Sequence, residues 1–302
     1  MSVEEKTRIA PDPNYVSRDG YDPEFLGSDF RIEIPWLADE IFTDVAWNNI
    51  AARQRHVFPY HHFSLVMSRK RRLAYFTAGN IDGNAEVDIP RQGFSDKWFL
   101  DPRLPADEQV ENELYESNPL DRGHLVRRLD PTWGSSFEDA ERAHDDTFHW
   151  TNCSPQHQNF NRNRSTWAGV EHHILHSANL MNHRVSVFTG PVFREDDPVY
   201  ITSNDEPIQI PRDFWKVVAA VKQPGQLSAT AYLISQKELI DQMLATEAVF
   251  NPKTFQMPVS TVEELTKLSF RGLADFDGIG GGAIESAGIQ TRELESISDI
   301  VW

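Results

Sequence analysis

The 302-residue sequence contains a single cysteine, Cys153, which excludes an internal disulfide framework and a cysteine-rich zinc site. It also lacks any apolar run long enough to span a membrane. Residues 1–16 are charged where an export signal would carry an apolar core. From these absences we expect a cytoplasmic protein with no membrane partner, unless export uses a signal-independent route.

Positive charge is scarce as well, with 29 Lys and Arg against 46 Asp and Glu and a formal net charge of −17. Because such a surface repels phosphates at long range, it excludes a protein that coats nucleic acid. Contact with a polyanion then has to be local. The local basic groups are Arg69–Arg72, the set Arg122, Arg127 and Arg128, and the pair Arg162 and Arg164. An enzyme, which needs turnover more than tight binding, tolerates this balance.

Composition divides the chain into three parts. Residues 1–40 are rich in Asp, Glu, Pro and Gly, which predicts an irregular arm wrapped on the domain. Residues 41–275 carry the strand and helix patterns of one domain. Residues 276–302 predict a flexible, Gly-rich and acidic tail. Its segment 278–283 formally matches a dinucleotide fingerprint, but no convincing strand precedes it, so we expect no nucleotide site there.

The pattern of apolar residues indicates several elements in the first two thirds of the chain. Phe63–Met67 and Leu73–Thr77 predict a hairpin with a basic tip between them. Turn formers across 79–120, beginning with Gly79 and Asn80, predict a long loop. Apolar residues at helical spacing predict a helix over 166–181.

Further strands are predicted over 185–188, 215–221 and 229–234, where apolar runs are bounded by Gly and Pro. Thr261–Glu264 has the form of a capping box that opens a short helix. This mixture predicts an α+β fold with a mixed, mainly antiparallel sheet.

The segment Asp121–His124 carries the first candidate for chemistry. Hydrolysis of a phosphodiester needs a base, a cation to balance charge on the phosphoryl oxygens, and stabilisation of the leaving oxygen. His124 is the candidate base, because imidazole is suited to proton abstraction near neutral pH. Arg122 supplies a cation, and Asp121 could hold the local backbone or Arg122 in place.

The second candidate lies about thirty residues later, in segment 151–156 and the Asn-rich stretch after it. An Asn oxygen is a hard neutral ligand that suits Mg²⁺. Glu171 follows Trp167 by four residues, hence on nearly the same helix face, where a carboxylate could hold metal-bound water. The alternative is an Asn-rich helix entry whose amides cap backbone groups.

Together these motifs resemble a known family. DRGH at 121–124, followed by TN-x-x-PQ at 151–156 and then by Asn, Trp and Glu, is similar to the DNA/RNA non-specific endonucleases, which have a ββα-metal (His-Me) finger. The resemblance extends more weakly from about residue 63 to 270, including 188–191 and 211–216. It implies a ββα-metal finger and cleavage of DNA and RNA with little sequence preference, using Mg²⁺, Mn²⁺ or another divalent cation.

The resemblance also assigns roles to individual residues. His124 would be the general base that activates water, and Arg122 would position the site and the phosphate. Asn161 would be the direct metal ligand, Glu171 would bind the metal's water shell, and Asn152 would be a supporting residue. The metal would stabilise the transition state and the leaving 3′ oxygen.

Two assignments have alternatives. The family's spacing from the metal ligand to Trp and Glu selects Asn163, whereas the Phe-Asn context and the distance of nine residues from Asn152 select Asn161, which we prefer. The arginine that neutralises the transition state would be Arg91, with Arg103 as the alternative. A bare arginine in a loop is usually only solvated.

The sequence alone is also compatible with other functions. A catalytically silent module could use Arg69–Arg72 to bind nucleic acid or a protein, and a small-molecule phosphodiesterase would share the chemistry. Cys153 as a thiol nucleophile, and the pairs His61–His62 and His172–His173 as zinc ligands, are less favoured, since adjacent side chains diverge. A cytoplasmic nuclease would also need an inhibitor or a triggering protein.

Overall fold

A computed structural model of the chain describes residues 12–51, 54–90, 97–163, 167–181, 183–222, 225–244, 253–277 and 292–294. The strands are β1 (Trp36–Leu37), β2 (Phe58–Tyr60), β3 (Phe63–Met67), β4 (Ala74–Asp82), β5 (Leu120–His124), β6 (Cys153–His157), β7 (Arg184–Val192), β8 (Val199–Ile201), β9 (Pro207–Gln209), β10 (Asp213–Lys222), β11 (Gln226–Ser235), β12 (Lys253–Met257), β13 (Leu268–Ser269) and β14 (Arg292–Glu293). The α-helices are α1 (Asp39–Phe42), α2 (Phe137–Asp146), α3 (Gln158–Asn161), α4 (Trp167–Met181), α5 (Lys237–Leu244) and α6 (Val259–Thr266).

The centre of the fold is an eight-stranded sheet in the order β14-β12-β11-β10-β7-β4-β3-β2, with antiparallel pairing between all neighbours. Its middle strands are rich in aromatic and β-branched residues, which suit a pleated surface. They are apolar on both faces because both faces are covered. The predicted α+β fold with a mainly antiparallel sheet is therefore confirmed.

Each face of this sheet contributes to a separate hydrophobic core. Along β10, Phe214 and Val218 pack in the core that contains Trp167 of α4. Trp215 and Val217 pack in the opposite core. We call the face covered by α4 the site face, because the candidate site lies above it.

The N-terminal part of the chain crosses the edge of the sheet. Gly20 donates its N–H to the carbonyl of Tyr60 on the edge strand β2, and Tyr21 donates its N–H to Ser64 Oγ. Tyr15 lies in the core of the site face, whereas Tyr21 lies in the opposite core. Residues 12–37 thus contact both sides of the sheet.

Most predicted elements are confirmed. β3 and β4 pair as the expected hairpin, and α4 occupies the predicted helix. β7, β10 and β11 extend the predicted strands at both ends, because pairing with neighbours in the sheet continues past the apolar run that marks each strand. The helices α1, α2, α3 and α5 were not predicted from the sequence.

Two local predictions are wrong. Gly79 and Asn80 lie inside β4 rather than in a turn, because β7 pairs with both residues, β3 pairs with Gly79, and the Asn80 amide donates to the carbonyl of Asp22. The helix expected to open at Thr261 begins at Val259 instead, where a carboxylate oxygen of Asp277 accepts its N–H at 2.5 Å.

Several predictions fall on residues outside the described ranges. They concern residues 1–11, Arg91, Arg164, the fingerprint at 278–283, and most of the tail predicted from residue 276 onward. Within that tail, β14 pairs with β12 and Leu294 donates its N–H to Thr254. Among the described helices, none combines the length and the apolar character needed to cross a bilayer.

Candidate functional site

The two sequence motifs meet in a two-stranded antiparallel sheet. β5 carries residues 121–124 and β6 carries most of segment 151–156, and their register places His124 opposite Cys153 and Asp121 opposite Gln156. Helices α3 and α4 follow β6 directly. The arrangement is therefore two strands followed by helix, as the ββα finger requires.

Gly123 is required by a close contact within this sheet. A Cβ atom at Gly123 would lie 2.3 Å from Oε1 of Gln156, whose side chain is fully buried. Such a distance is far below van der Waals contact, so a side chain at position 123 would have to displace the buried side chain of Gln156. The glycine of the DRGH motif thus makes room for the side chain of Gln156 next to His124.

His124 is half-buried at the end of β5, against aromatic side chains. Its ring centroid lies 4.8 Å from that of Trp98 and 5.0 Å from that of Phe148, which it meets edge to face. Trp98 also stacks on Trp150 at 5.2 Å. These rings limit the orientations available to the imidazole.

Arg122 lies two residues before His124 on β5 and is exposed. Its guanidinium donates to Oδ1 of Asn112 and lies 5.7 Å from the ring centroid of Trp150 and 6.0 Å from that of Tyr115. Contacts of this kind orient a guanidinium while leaving donors available to an anion.

Asn152 is fully buried and fastens the backbone that follows His124. Its Oδ1 accepts the N–H of Val126 at 2.9 Å, and its Nδ2 donates to the carbonyls of Val126 and Thr147, each at 2.9 Å. Its own carbonyl accepts the N–H of Leu125. Asn152 therefore supports the site through the backbone, and its amide makes these three bonds rather than facing solvent.

Asn161 ends α3 and lies against the start of β5. Its Nδ2 donates to Oδ2 of Asp121 at 3.0 Å, which turns the amide oxygen away from that carboxylate. Asp121 also accepts two hydrogen bonds from the exposed Arg162, at 2.8 and 2.5 Å. Asp121 thus holds α3 rather than Arg122. Asn163 lies beyond the end of α3, in the connection to α4.

The helices are anchored to the site face by aromatic packing. Phe160 of α3, Trp167 of α4 and Phe214 of β10 contact one another, with ring centroids 5.4 to 5.6 Å apart. This cluster positions both Asn161, the neighbour of Phe160, and Glu171, which lies one helical turn after Trp167.

Glu171 lies in a cluster of charges with 10% of its side chain exposed. Burial raises the pKa of its carboxyl to about 7, and the raising effect of Asp130 adds to it, while Lys216 and Arg127 counteract both. Its Oε1 lies 3.4 Å from Nζ of Lys216 and makes no hydrogen bond of good geometry within the described part of the chain.

Lys216 is a site residue that the sequence analysis missed. It lies on β10 with 1% of its surface exposed, and its Nζ contacts Glu171, the carbonyl of Leu125 and Oγ1 of Thr189. A lysine inside the apolar run of β10 was the available signal, because a buried ammonium requires polar partners. The sequence does not name those partners.

The two candidates for the transition-state arginine are Arg91 and Arg103. Arg91 lies outside the described residues. Arg103 has 1% of its surface exposed, pairs with Asp101 at 2.6 Å and donates to the carbonyl of Pro59 at 2.7 Å. A guanidinium so enclosed lacks access to a phosphate, so the geometry disfavours Arg103.

The basic turn Arg69–Arg72 is largely engaged within the protein. Arg71 pairs with Asp197 at 3.0 Å in a buried position, and Arg72 pairs with Glu206 at 2.9 Å. Because these cations are neutralised, the turn is a weak candidate for binding a polyanion.

The less favoured candidates also have other roles. Cys153 is buried, which raises the pKa of its thiol to about 12 and makes it a poor nucleophile. His61 binds Asp146, and His62 stacks on Trp133. Within the described ranges, no group of three or more His, Cys, Asp or Glu side chains could hold a metal.

The oxygen donors at the site fit a hard divalent cation. Asn161 offers an amide oxygen turned away from Asp121, and Glu171 offers a buried carboxylate oxygen without a well-formed hydrogen bond. Mg²⁺ keeps several of its waters and needs few protein ligands, so a site of one amide and one carboxylate suits it.

Comparison of the chain with known protein families identifies its family. Residues 48–275 match the family of DNA/RNA non-specific endonucleases, and the chain belongs to that family.

Particular relatives agree with this assignment. The chain is 35% identical to protein y4fB of Sinorhizobium fredii, over 97% of this chain and 44% of that protein. It is 25% identical to mitochondrial endonuclease G of Homo sapiens, over 56% of this chain and 54% of that protein. The chain therefore spans about half the length of the curated relatives it matches.

The fold is similar to that in the crystal structure of the EndoG/EndoGI complex. The TM-score is 0.54 at 21% sequence identity, and the match covers 72% of this chain and 86% of that chain. This similarity concerns the fold.

Proposed function

We propose that the protein is a metal-dependent endonuclease that hydrolyses phosphodiester bonds in DNA and RNA with little sequence preference. The observation that carries the proposal is the pairing of β5 with β6, which places His124 beside a strand whose following helices carry Asn161 and Glu171. Membership of the family supports the same activity.

In the proposed reaction, His124 accepts a proton from the attacking water, and its aromatic neighbours Trp98 and Phe148 restrict the ring to few orientations. Arg122 contacts the phosphate with the donors that Asn112 leaves available. Asn152 keeps the backbone after His124 in place. Arg91 remains the proposed transition-state arginine.

Asn161 and Glu171 would hold the metal, Asn161 through its amide oxygen and Glu171 through bound water. When bound, Mg²⁺, Mn²⁺ or a similar cation supplies charge that stabilises the transition state and the leaving 3′ oxygen. The placement of Asn161 against Asp121, and of Asn163 beyond α3, supports our choice of Asn161.

A protein partner is also proposed. The similar structure contains EndoG bound to EndoGI and concerns EndoG inhibition. An indiscriminate nuclease in the cytoplasm would damage its own cell, so we propose that an inhibitor or a triggering protein controls this chain.

A catalytically silent module is the competing hypothesis. It depended on the basic turn Arg69–Arg72, whose Arg71 and Arg72 are paired with acidic residues. That pairing favours the enzyme over the binding module.

The test is cleavage of plasmid DNA and of RNA by the purified protein, with Mg²⁺ and with EDTA. We expect both polymers to be cut only with the metal. Intact polymers in Mg²⁺ and in Mn²⁺, with binding by gel shift, would select the silent module instead.

The assignment of the base is tested by His124→Ala. We expect turnover to fall by about 10²–10⁴-fold with the melting temperature little changed, because a general base contributes about that factor. His176→Ala, which removes an exposed histidine of α4, serves as the matched control and should cleave like the wild type. Equal rates for His124→Ala and His176→Ala would remove His124 from the mechanism.

A further inference from the structure

Lys216 occupies an unusual position for a lysine. It lies on β10, the fourth strand from the β14 edge of the eight-stranded sheet, with β11 and β7 paired to it on either side. Its side chain points to the site face between Phe214 and Val218, and 1% of the residue is exposed. Burying an ammonium costs free energy unless several polar partners surround it, so the partners define its role.

The partners of Lys216 belong to three separate elements. Nζ lies 3.1 Å from Oγ1 of Thr189 on β7, 3.5 Å from the carbonyl oxygen of Leu125, and 3.4 Å from Oε1 of Glu171 on α4. It also lies 4.2 Å from the ring centroid of Trp167. One ammonium therefore contacts both the backbone next to His124 and the carboxylate of the helix.

The backbone next to His124 is held from two sides. Leu125 donates its N–H to the carbonyl of Asn152 at 3.0 Å, while its own carbonyl accepts from Lys216. The loop that follows also reaches α4, because Arg127 donates to the backbone carbonyl of Glu171 at 3.4 Å. Among these residues, Lys216 is the one that contacts both the backbone next to His124 and the carboxylate of Glu171.

We propose that Lys216 is a positioning residue that fixes the carboxylate of Glu171 relative to His124. This inference rests on the proposed nuclease function. Lys216 lies beneath the site and acts through Leu125 and Glu171, without touching the substrate. Groups that orient the residues around a metal typically change activity or metal affinity by about 10–100-fold when removed.

The first experiment replaces Lys216 with methionine, which keeps the length of the side chain and removes the charge. We expect kcat to fall by about 10–100-fold, with KM within about threefold of wild type, because the lost contacts do not involve bound substrate. Lys222→Met is the matched control, since it makes the same change at the end of the same strand. It should retain wild-type kcat.

A double-mutant cycle separates positioning from general stability. If Lys216 acts through Glu171, its removal should cost little once Glu171 is already neutral, so Lys216→Met combined with Glu171→Gln should have a kcat within about threefold of Glu171→Gln alone. A purely structural role predicts multiplied losses in the double variant.

Metal binding gives a readout independent of catalysis. Electron paramagnetic resonance of Mn²⁺ should show binding to Lys216→Met weakened by about tenfold or more, because Glu171 is no longer held in place. Binding of Mn²⁺ to Lys222→Met should match the wild type.

The outcomes are distinct. Wild-type protein that does not cleave would overturn the proposed function and this role with it. Active wild type with unchanged kcat and Mn²⁺ binding in Lys216→Met would overturn the role of Lys216 alone. Should Lys216→Met fail to fold, Lys216→Gln keeps a polar group in the core without the charge, and unchanged kcat in that folded variant would equally overturn the role.

Discussion

Gly123 shows how one missing side chain determines the geometry of the site. The side chain of Gln156 packs against Gly123 and leaves no room for a Cβ atom, so any other residue at this position would have to displace that side chain. The glycine in the DRGH motif is thus explained by packing and not by an unusual backbone conformation.

Replacement of Gly123 by alanine should destabilise the protein by about 1–3 kcal/mol, the usual cost of overpacking. Cleavage should fall as well, because the clash with Gln156 arises at the residue next to His124. Urea unfolding and the cleavage rate measure the two effects.

Removing the obstructing side chain provides the control for that prediction. In a Gln156→Ala background the clash is absent, so Gly123→Ala should cost less than about 0.5 kcal/mol, and the two changes should be strongly non-additive. Additive losses would show that the contact with Gln156 is not the reason for the glycine.

At this scale the sequence predicted residue types better than their contacts. The chemistry of the side chains predicts His124 as a base and Glu171 beside a metal, the resemblance selects Asn161, and the structure places the three on β5, α3 and α4. Asp121 was expected to hold its own backbone or Arg122, yet it binds Asn161 and Arg162. Contacts of that kind depend on tertiary packing, which local sequence does not encode.

Among the elements, the connection between β5 and β6 depends on Asn152. The chain leaves β5 at Leu125 and returns to β6 at Cys153, and Asn152 binds the backbone of Leu125 and Val126 at that point. The intervening residues, which include α2, therefore form a loop closed at its base.

Asn152→Asp tests this closure with almost no change of shape. We expect a loss of about 2–4 kcal/mol in the free energy of unfolding, because two donated hydrogen bonds disappear and each buried carbonyl left without a donor costs about 1–3 kcal/mol. The cleavage rate should decrease together with the free energy of unfolding. Urea denaturation measures this loss. Asn204→Asp makes the same change at an exposed turn residue, and this control variant should be as stable as the wild type.

Elements with a strong periodic pattern were predictable, and those defined by their neighbours were not. The run from Trp167 predicted α4, and the hairpin of β3 and β4 followed from two apolar runs. The helix α6 was predicted one turn too late, since the carboxylate that binds its first N–H, Asp277, lies after the helix in the chain. The partners of Lys216 could not be predicted from the sequence, because it is the pairing of β10 with β7 that brings Thr189 next to Lys216.

For the whole molecule, the N-terminal segment is joined to the domain by a buried ion pair. Arg18 binds Asp146 at the end of α2 at 2.7 Å, His61 also binds Asp146, and Tyr15 binds His149. Burial opposes ionisation of Asp146, but the hydrogen bonds from His61 and Arg18 outweigh it and hold the pKa of this carboxyl below its usual range.

Asp146→Asn should lower the free energy of unfolding near pH 7 by about 3–5 kcal/mol, as expected when one partner of a buried ion pair is removed. A carboxyl with a lowered pKa stabilises the fold above its unfolded pKa of about 3.9 and loses that contribution as the pH falls further. The gap between wild type and variant should therefore narrow below about pH 4.

Urea unfolding from pH 7 to pH 3 measures this gap. Glu138→Gln, an exposed change on the same helix, should stay within about 0.5 kcal/mol of wild type throughout. A gap independent of pH would contradict the assigned role of the Asp146 carboxylate.

The internal pairing of the basic turn has a consequence for the encounter with nucleic acid. With Arg71 and Arg72 neutralised and a net charge of −17, the proposed substrate and the protein approach each other as two polyanions. Dissolved salt shortens the range of their repulsion to about 10 Å at 0.1 M. We therefore expect added salt to weaken this long-range repulsion, whereas added salt weakens the binding of basic proteins to DNA.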